Sequence, residues 1–159
     1  MNYYNKNGII VRDSKTGDVE AMKDNLRQSD IDEIWASHHH TPEAALRLSV
    51  EMSVKCLTIE YKDKVISMFG IVPATLLAES ATVWLLATDE FKKISKAIIK
   101  EGRKFIDLFL EVYPTLENYV DTRNVQSIKW LKMCGAKIEP PEPYGIDNIL
   151  FHYFTLRRR

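Results

Sequence analysis

The sequence NVQSIKWLKMCGA, residues 124–136, carries the clearest structural information in this chain. Asn124 is a favourable residue for capping the start of a helix, and Gly135 suits the position just past the end of one. The residues between them therefore predict a short helix. The segment Tyr119-Val120, directly upstream, predicts a strand that leads into this helix.

A long amphipathic helix is predicted over residues 91–113, because apolar residues recur at helical spacing and Pro114 ends the pattern. In the preceding strand, residues 81–88, the run Val-Trp-Leu-Leu predicts burial on both faces. Strand–helix–strand connections are almost always right-handed, so we expect residues 83–88 and 119–120 to be parallel neighbours. The side chains expected to be mostly buried are Trp84, Leu86, Ile98, Phe105, Phe109, Ile128 and Leu131.

The remaining elements complete a mixed α/β pattern, with an antiparallel front and a βαβ unit behind it. Asp30 and Glu33 form a capping-box pattern, and Thr41-Pro42 marks a second helix start. The other predicted features are a strand at 8–12, a hairpin of strands 57–61 and 65–72, a proline-rich loop at Pro140, Pro141 and Pro143, and a closing strand at 150–156.

Length and composition predict one domain, residues 1–159, in a reducing compartment. The chain has 22 basic and 22 acidic residues and 45% apolar residues, so it can bury a core without disulfides. Its formal net charge of zero argues against general binding to nucleic acid or to anionic membranes. The first seven residues lack the apolar run of a signal peptide, and no stretch is long enough for a transmembrane helix.

Three polar or reactive clusters have plain structural interpretations. Three consecutive histidines, His38-His39-His40, point in different directions on a regular backbone, so we expect a solvated loop and no metal site. Cys134 lies at an apolar helical position, which predicts a buried structural thiol. The segment Arg157-Arg158-Arg159 predicts a frayed, charged end.

Residues 124–136 also resemble, without a gap, the C-terminal motif N-x-x-A-I-x-L-Y-E-K-x-G-F of the GNAT acyltransferases. Members of this superfamily move acyl groups from coenzyme A to amines. The resemblance implies a mixed sheet with splayed central strands flanked by helices. It also implies that Asn124 contacts the pantetheine arm, although Asn124 is equally well explained as an N-cap, and both roles can coexist.

Two departures from the superfamily pattern concern chemistry. Family members have a glycine-rich turn at the start of the long helix, where main-chain amides hold the pyrophosphate, whereas residues 88–96 read TDEFKKISK. Lys92, Lys93 and Lys96 could supply charge there, or they could simply face solvent at a helix start. Many members also place a proton-donating tyrosine where this chain has Leu131.

A narrower resemblance is to GNAT-like proteins related to an internal virion protein of short-tailed podophages. Four blocks of residues carry it at matching spacing. They are WLLATDE at 84–90, YVD at 119–121, IKWLK at 128–132 and EPYG at 142–145. This resemblance implies a phage or prophage origin but does not imply chemistry.

Two functions follow as expectations. The first is a phage accessory or internal virion-type protein with weak or no acyl transfer, which acts in the host cytoplasm and the virion on a phage or host protein. The second is an N-acetyltransferase that uses acetyl-CoA or another acyl-CoA to modify an amine on a host protein or small molecule. The candidate catalytic residues are Asp89, Glu90 and Tyr144. The candidate cofactor-binding residues are Ala87, Thr88, Lys92, Lys93, Ile94, Ser95, Asn124, Ser127 and Trp130.

Overall fold

The computed structural model describes all residues, 1–159, and its eight strands form one mixed sheet. The strands are β1 (Asn2–Lys6), β2 (Ile9–Asp13), β3 (Lys55–Tyr61), β4 (Lys64–Pro73), β5 (Ser80–Ala87), β6 (Thr115–Asp121), β7 (Lys137–Tyr144) and β8 (Ile149–Arg157). The helices are α1 (Asp18–Met22), α2 (Gln28–His38), α3 (Pro42–Met52), α4 (Ser95–Leu110) and α5 (Val125–Met133), with a 3₁₀ turn at Asp89–Lys93. The strand order is β1-β2-β3-β4-β5-β6-β8-β7.

The helices cover both faces of this sheet. Met68 and Phe69 are consecutive on β4 and therefore point to opposite faces. Phe69 belongs to the larger core, which α4 and α5 cover. Met68 packs in a smaller core with Met22, Leu26 and Leu46, beneath α1, α2 and α3. The three-layer arrangement follows because strands buried on both faces need helices on each side. No helix is both long enough and apolar enough to cross a membrane.

Strands β5 and β6 form the one parallel pair in the sheet, and they separate along their length. Residues 80–82 pair with residues 115–117, and the ladder then ends. Strands β5 and β6 are therefore parallel neighbours in a splayed mixed sheet, as expected, but their paired residues are not the ones expected. The segments 83–88 and 119–120 lie beyond the last paired residues, on the diverging part.

The side chains expected to be buried are buried in the larger core, but those beside the diverging strands are not. Ile98, Phe105, Phe109 and Leu131 are buried. Trp84, Leu86 and Ile128 are only partly buried, so the expected burial of residues 83–86 on both faces is wrong. Trp84 and Leu86 lie on the part of β5 that diverges from β6, and both line an open cleft there.

Three local predictions are corrected by the structure. The expected capping box is wrong, because α2 begins at Gln28 and places Asp30 inside the helix. The long helix is α4, which is preceded by the 3₁₀ turn. The proline-rich segment is the strand β7, paired only with β8 at the edge of the sheet. An edge strand tolerates proline, since one row of its amides needs no partner in the sheet.

Candidate functional site

A cleft of about 540 Å³ opens where β5 and β6 separate. Trp84 and Leu86 line it from β5, and Tyr119 lines it from β6. Helices from both layers contribute to its walls, including Met52 of α3 and Phe105 of α4. Apolar walls with a few polar groups are typical of ligand-binding clefts.

Two carboxylates of α2 occupy the end of this opening. Asp30 accepts a 2.9 Å hydrogen bond from the main-chain amide of Ala87, at the end of β5. Glu33, one turn later, accepts a 2.6 Å bond from the amide of Asp121, at the end of β6. Across the cleft, the Asn118 amide group donates to the carbonyl oxygen of Val83 at 2.8 Å. Side chains thus replace the sheet hydrogen bonds that diverging strands cannot make with each other.

Both carboxyl groups have raised pKa values. Burial raises the pKa of Glu33 to about 7, with further contributions from the nearby Asp30 and Asp121 carboxylates. Its hydrogen bond from the Asp121 amide and the charge of Arg27 act in the opposite direction. Burial also raises the pKa of Asp30, against its ion pair with Arg27. A carboxyl group with a pKa near neutrality can both take up and release a proton at physiological pH.

Sequence reasoning did not identify Glu33 as a site residue, although the signal was available. Asp30 and Glu33 are three residues apart, so they share one helix face. We interpreted that spacing as a cap, but the structure shows the same pair aimed at the ends of two strands. Asp30 and Ala87 are far apart in the sequence, so no local sequence pattern predicts their contact.

Three tyrosines line the β6–β8 side of the cleft. The rings of Tyr119 and Tyr144 stack with centroids 3.8 Å apart. The Tyr153 hydroxyl donates a 2.6 Å hydrogen bond to Glu117. That bond is the main cause of a Tyr153 pKa raised to about 12, and burial raises the pKa of Tyr144. All three phenols are therefore hydrogen-bond donors at neutral pH.

The three candidate catalytic residues do not come together in the structure. Tyr144 lines the cleft. Asp89 is exposed in the 3₁₀ turn. Glu90 forms an ion pair with Lys93 at 2.9 Å, which lowers the Glu90 pKa. Neither acid contributes to the cleft wall, and the catalytic role of all three residues stays a prediction.

Some of the candidate cofactor-binding residues line the cleft and the others do not. Ser95, Ser127 and Trp130 line the cleft. Ala87 uses its amide for Asp30, and its carbonyl oxygen accepts from the Arg27 amide at 2.9 Å. The others surround the start of α4 or α5: Lys92 is exposed, Lys93 pairs with Glu90, Ile94 is buried, and Asn124 accepts from the Ser127 amide at 3.3 Å as the cap of α5.

Main-chain hydrogen bonds occupy several of the amides around the start of α4, where a pyrophosphate would lie. The amides of Phe91 and Ile94 donate to the carbonyl oxygens of Thr88 and Phe91, at 3.1 Å each. The amide of Ala97 donates to the Ile94 carbonyl oxygen at 3.0 Å. Nearby, the Thr88 hydroxyl is buried and has no hydrogen-bond partner. An anion at a helix start needs amides that are not already bonded, so the amides of Phe91, Ile94 and Ala97 are not free to hold one.

No group of three or more His, Cys, Asp or Glu side chains is arranged to hold a metal ion. Within the histidine run, His39 contacts Asp147 at 2.6 Å and stacks on Trp35. Cys134 is buried, and burial raises its pKa to about 11. A thiol with such a pKa is protonated at neutral pH and is a poor nucleophile.

Solved acetyltransferase structures resemble the whole chain. The spermidine N-acetyltransferase of Vibrio cholerae, in complex with CoA and spermine, superposes with a TM-score of 0.68 at 12% identity, over 94% of this chain and 95% of that one. A ribosomal-protein-S5-alanine acetyltransferase of Vibrio fischeri gives a TM-score of 0.69 at 15% identity, over 99% and 96%. A GNAT-family acetyltransferase of Bacillus anthracis gives 0.68 at 9% identity, over 99% and 98%. At these identities the likeness shows the fold, which is that of the GNAT acetyltransferases.

Sequence comparison points to a phage family. A family model described as "Bacteriophage T7, probable scaffold protein Gp13" matches residues 55–140, which is more than half of the chain. The "Probable scaffold protein gp13" of Escherichia phage T7 is 27% identical over 139 residues, covering 83% of this chain and 94% of that protein. The matched region contains the diverging strands, α4 and α5. The chain therefore belongs to the family of the bacteriophage T7 probable scaffold protein Gp13, built on a GNAT fold.

Proposed function

We propose that this chain is a phage assembly protein that uses the GNAT fold as a protein-binding module and transfers acyl groups weakly or not at all. The scaffold description of its T7 relative supports the assembly role. In this proposal the chain acts in the host cytoplasm while particles form, and in the virion, on phage or host proteins.

The main support for weak acyl transfer comes from the 3₁₀ turn at Asp89–Lys93. Its own hydrogen bonds consume the amides of Phe91 and Ile94, and its sequence has no glycine whose backbone could approach a phosphate closely. Leu131 adds to this argument, because it is buried and has no atom that could donate a proton to a departing thiolate. These features argue against a coenzyme A pyrophosphate held at this turn by main-chain amides, and they support the proposal of weak transfer.

A second function, acyl-CoA-dependent N-acyltransfer, is favoured by the cleft itself. The cleft is large enough for a small amine substrate, and Glu33 lies in its wall. With a pKa of about 7, Glu33 can accept a proton from an ammonium group before that nitrogen attacks. In this alternative, the protonated Tyr144 and Tyr119 hydroxyls would orient the acceptor.

A thermal-shift titration with acetyl-CoA, together with an acetyl-transfer assay, distinguishes the two functions. A ligand that binds only the folded chain stabilises it by about 2.7 kcal/mol at a hundredfold excess over its Kd. We expect only a small thermal shift at millimolar acetyl-CoA, which falls as the ionic strength rises, and no product. A saturable shift with turnover that Glu33→Gln abolishes, and that the exposed neighbour variant Asp32→Asn retains, would replace our proposal with the alternative.

The assembly role has its own test. The coding sequence is deleted from the phage that carries it, and particles are analysed by gradient sedimentation and mass spectrometry. We expect particles with altered protein content and reduced infectivity, restored by supplying the chain in trans. Particles of unchanged composition and infectivity would refute the assembly role.

A further inference from the structure

The net charge of this chain is zero, but the helical layers on the two faces of the sheet have opposite charges. The layer of α1, α2 and α3, residues 14–54, has eight acidic and four basic residues, a formal charge of −4. The layer of α4 and α5, residues 89–111 and 122–136, has five acidic and nine basic residues, a formal charge of +4. These layers cover opposite faces of the sheet. We call them the acidic layer and the basic layer.

Ion pairs within each layer leave part of this charge free. In the acidic layer, Asp24, Asp32 and Glu51 are exposed and have no ion-pair partner within 4 Å, against one such lysine, Lys15. In the basic layer, five exposed lysines have no partner, against two such acids, Asp89 and Glu111. The five lysines are Lys92, Lys96, Lys100, Lys129 and Lys132. Each surface therefore has an uncompensated charge that a partner of opposite sign could neutralise.

Exposed apolar side chains accompany the charges on both surfaces. On the acidic layer, Trp35 is 52% exposed and Met52 is 53% exposed. On the basic layer, Val125 is 55% exposed and Met133 is 64% exposed. Aromatic and methionine side chains surrounded by polar residues are the composition that protein–protein interfaces favour.

The edges of the sheet offer a poorer surface for association. The edge strand β7 contains Pro140, Pro141 and Pro143, which interrupt its row of amide donors. The other edge strand, β1, has five residues and an irregular register beside Asn2. Short, bulged or proline-bearing edges resist pairing with another chain, so the helical layers remain as the surfaces suited to a partner.

We propose that copies of this chain associate head to tail, with the basic layer of one copy against the acidic layer of the next. A second copy is the partner that fits, because each molecule carries both halves of the charge complementarity. One two-fold contact cannot match both layers, since they lie on opposite faces of the sheet. Head-to-tail contacts of this kind extend into open assemblies or close into rings. This inference rests on the assembly role proposed above and adds its partner.

Analytical ultracentrifugation across a range of concentration and salt tests the proposal. We expect larger species that grow with concentration at low ionic strength. They should dissociate near 1 M salt, where the screening length falls from about 10 Å to about 3 Å. Lys129→Glu/Lys132→Glu changes the formal charge of the basic layer from +4 to about 0, and Asp32→Lys/Glu51→Lys changes that of the acidic layer from −4 to about 0. Each variant therefore keeps only one charged layer, and the layer that one variant keeps is complementary to the layer that the other keeps. Each variant alone should be monomeric, and an equimolar mixture of the two should associate again.

A charge-matched control keeps this test specific. Lys6→Glu/Lys62→Glu makes the same change in net charge at the end of β1 and in the β3–β4 turn, outside both layers, so it should associate like the unaltered chain. Circular dichroism shows whether each variant is folded, and recovery of association in the mixture requires folded partners.

Three results would overturn the inference. These are a monomer under all conditions, association that survives either double variant, and a basic layer that binds DNA while the chain alone stays monomeric. The gene deletion tests the assembly role separately, so a monomeric chain whose deletion alters particles would refute only the self-association.

Discussion

The Glu33 carboxylate accepts a 2.6 Å hydrogen bond from the main-chain amide of Asp121 and thereby joins α2 to the end of β6. Asp30 does the same for Ala87 at the end of β5. The two amides would otherwise face an apolar cleft without a partner, which costs about 1–3 kcal/mol for each buried donor. The fold thus satisfies its diverging strands with two carboxylates whose pKa values rise on burial.

The raised pKa of Glu33 predicts a specific dependence of stability on pH. A carboxyl group whose pKa rises from 4.5 to about 7 on folding holds its proton longer in the folded chain than in the unfolded chain. Folding stability therefore falls as the pH rises from about 4.5 to about 7, and the loss is complete above that range. At about 1.4 kcal/mol per pKa unit, the cost is on the order of 3–4 kcal/mol.

Glu33→Gln should remove that cost while keeping an acceptor for the Asp121 amide. We expect the variant to be more stable than the unaltered chain at pH 8 and of similar stability at pH 4. Urea denaturation at several pH values measures this difference. Asp32→Asn, at an exposed neighbouring position, is the control and should leave the pH profile unchanged. A Glu33→Gln profile parallel to that of the unaltered chain would contradict the assignment.

A second prediction concerns Gly145, in the turn that joins β7 to β8. The turn packs on the end of α2, where the amide of Ile146 donates to the Ser37 carbonyl oxygen at 3.2 Å. Gly145 has φ of +75°, and an added Cβ atom would lie 2.6 Å from the Ser37 Cα atom. Gly145→Ala should therefore detach the turn from α2, with faster hydrogen exchange at Ile146 and a lower Tm.

Gly17→Ala is the matched control for this change. Gly17 has φ of +99°, but nothing lies within 4 Å of its added Cβ atom. Both variants carry the left-handed backbone strain, of order 1–3 kcal/mol, and only Gly145→Ala adds the clash. Equal losses of stability, with Ile146 exchange unchanged, would show that the turn does not depend on this contact.

A third prediction tests the larger core. Phe105 is 7% exposed, and its ring lies edge-on to Phe69 with centroids 5.8 Å apart. Phe105→Ala should lower the free energy of unfolding by about 3–5 kcal/mol, as measured in a denaturant titration. Val112→Ala, at a position that is about half exposed, should change it by less than about 0.5 kcal/mol. A loss below about 1 kcal/mol for Phe105→Ala would mean that its ring does not pack as described.

A fourth prediction concerns the lysines in the 3₁₀ turn. Any binding of coenzyme A should depend on the charge of Lys92 and Lys93, because the turn consumes the amides of Phe91 and Ile94. Exposed charges are screened by salt, and a lysine must lose rotamer freedom to hold a phosphate. Isothermal titration should therefore show weak binding that falls steeply with ionic strength and is lost in Lys92→Ala/Lys93→Ala.

Lys6→Ala/Lys15→Ala removes two exposed lysines elsewhere and serves as the control in that titration. It should bind coenzyme A as the unaltered chain does. Tight binding that neither salt nor Lys92→Ala/Lys93→Ala weakens would show that another part of the chain holds the phosphates. That result would also favour the acyltransferase alternative over our proposal.

Local chemistry was sufficient to predict the cap of α5 and the parallel pair of β5 and β6. The cap of α5 is confirmed, since the Asn124 side chain accepts from the Ser127 amide and Gly135 follows with φ of +87°. The parallel β5–β6 pair is confirmed as well. The cap depends on residues that are close in the sequence, so a sequence pattern predicts it. The parallel pair follows from the usual handedness of a strand–helix–strand connection.

Tertiary contacts were needed to define the site. Asp30 and Glu33 have the spacing of a helix cap, and their role at the strand ends depends on Ala87 and Asp121, which lie far away in the sequence. The prolines of β7 predict a loop, but in the structure this segment pairs with β8 as an edge strand. A helix cap depends on residues within one turn of the chain. The burial of a carboxyl group depends on which distant segments pack around it, and that burial shifts its pKa. The sequence was therefore enough to predict the GNAT fold, and only the folded chain determined which carboxylates its cleft contains.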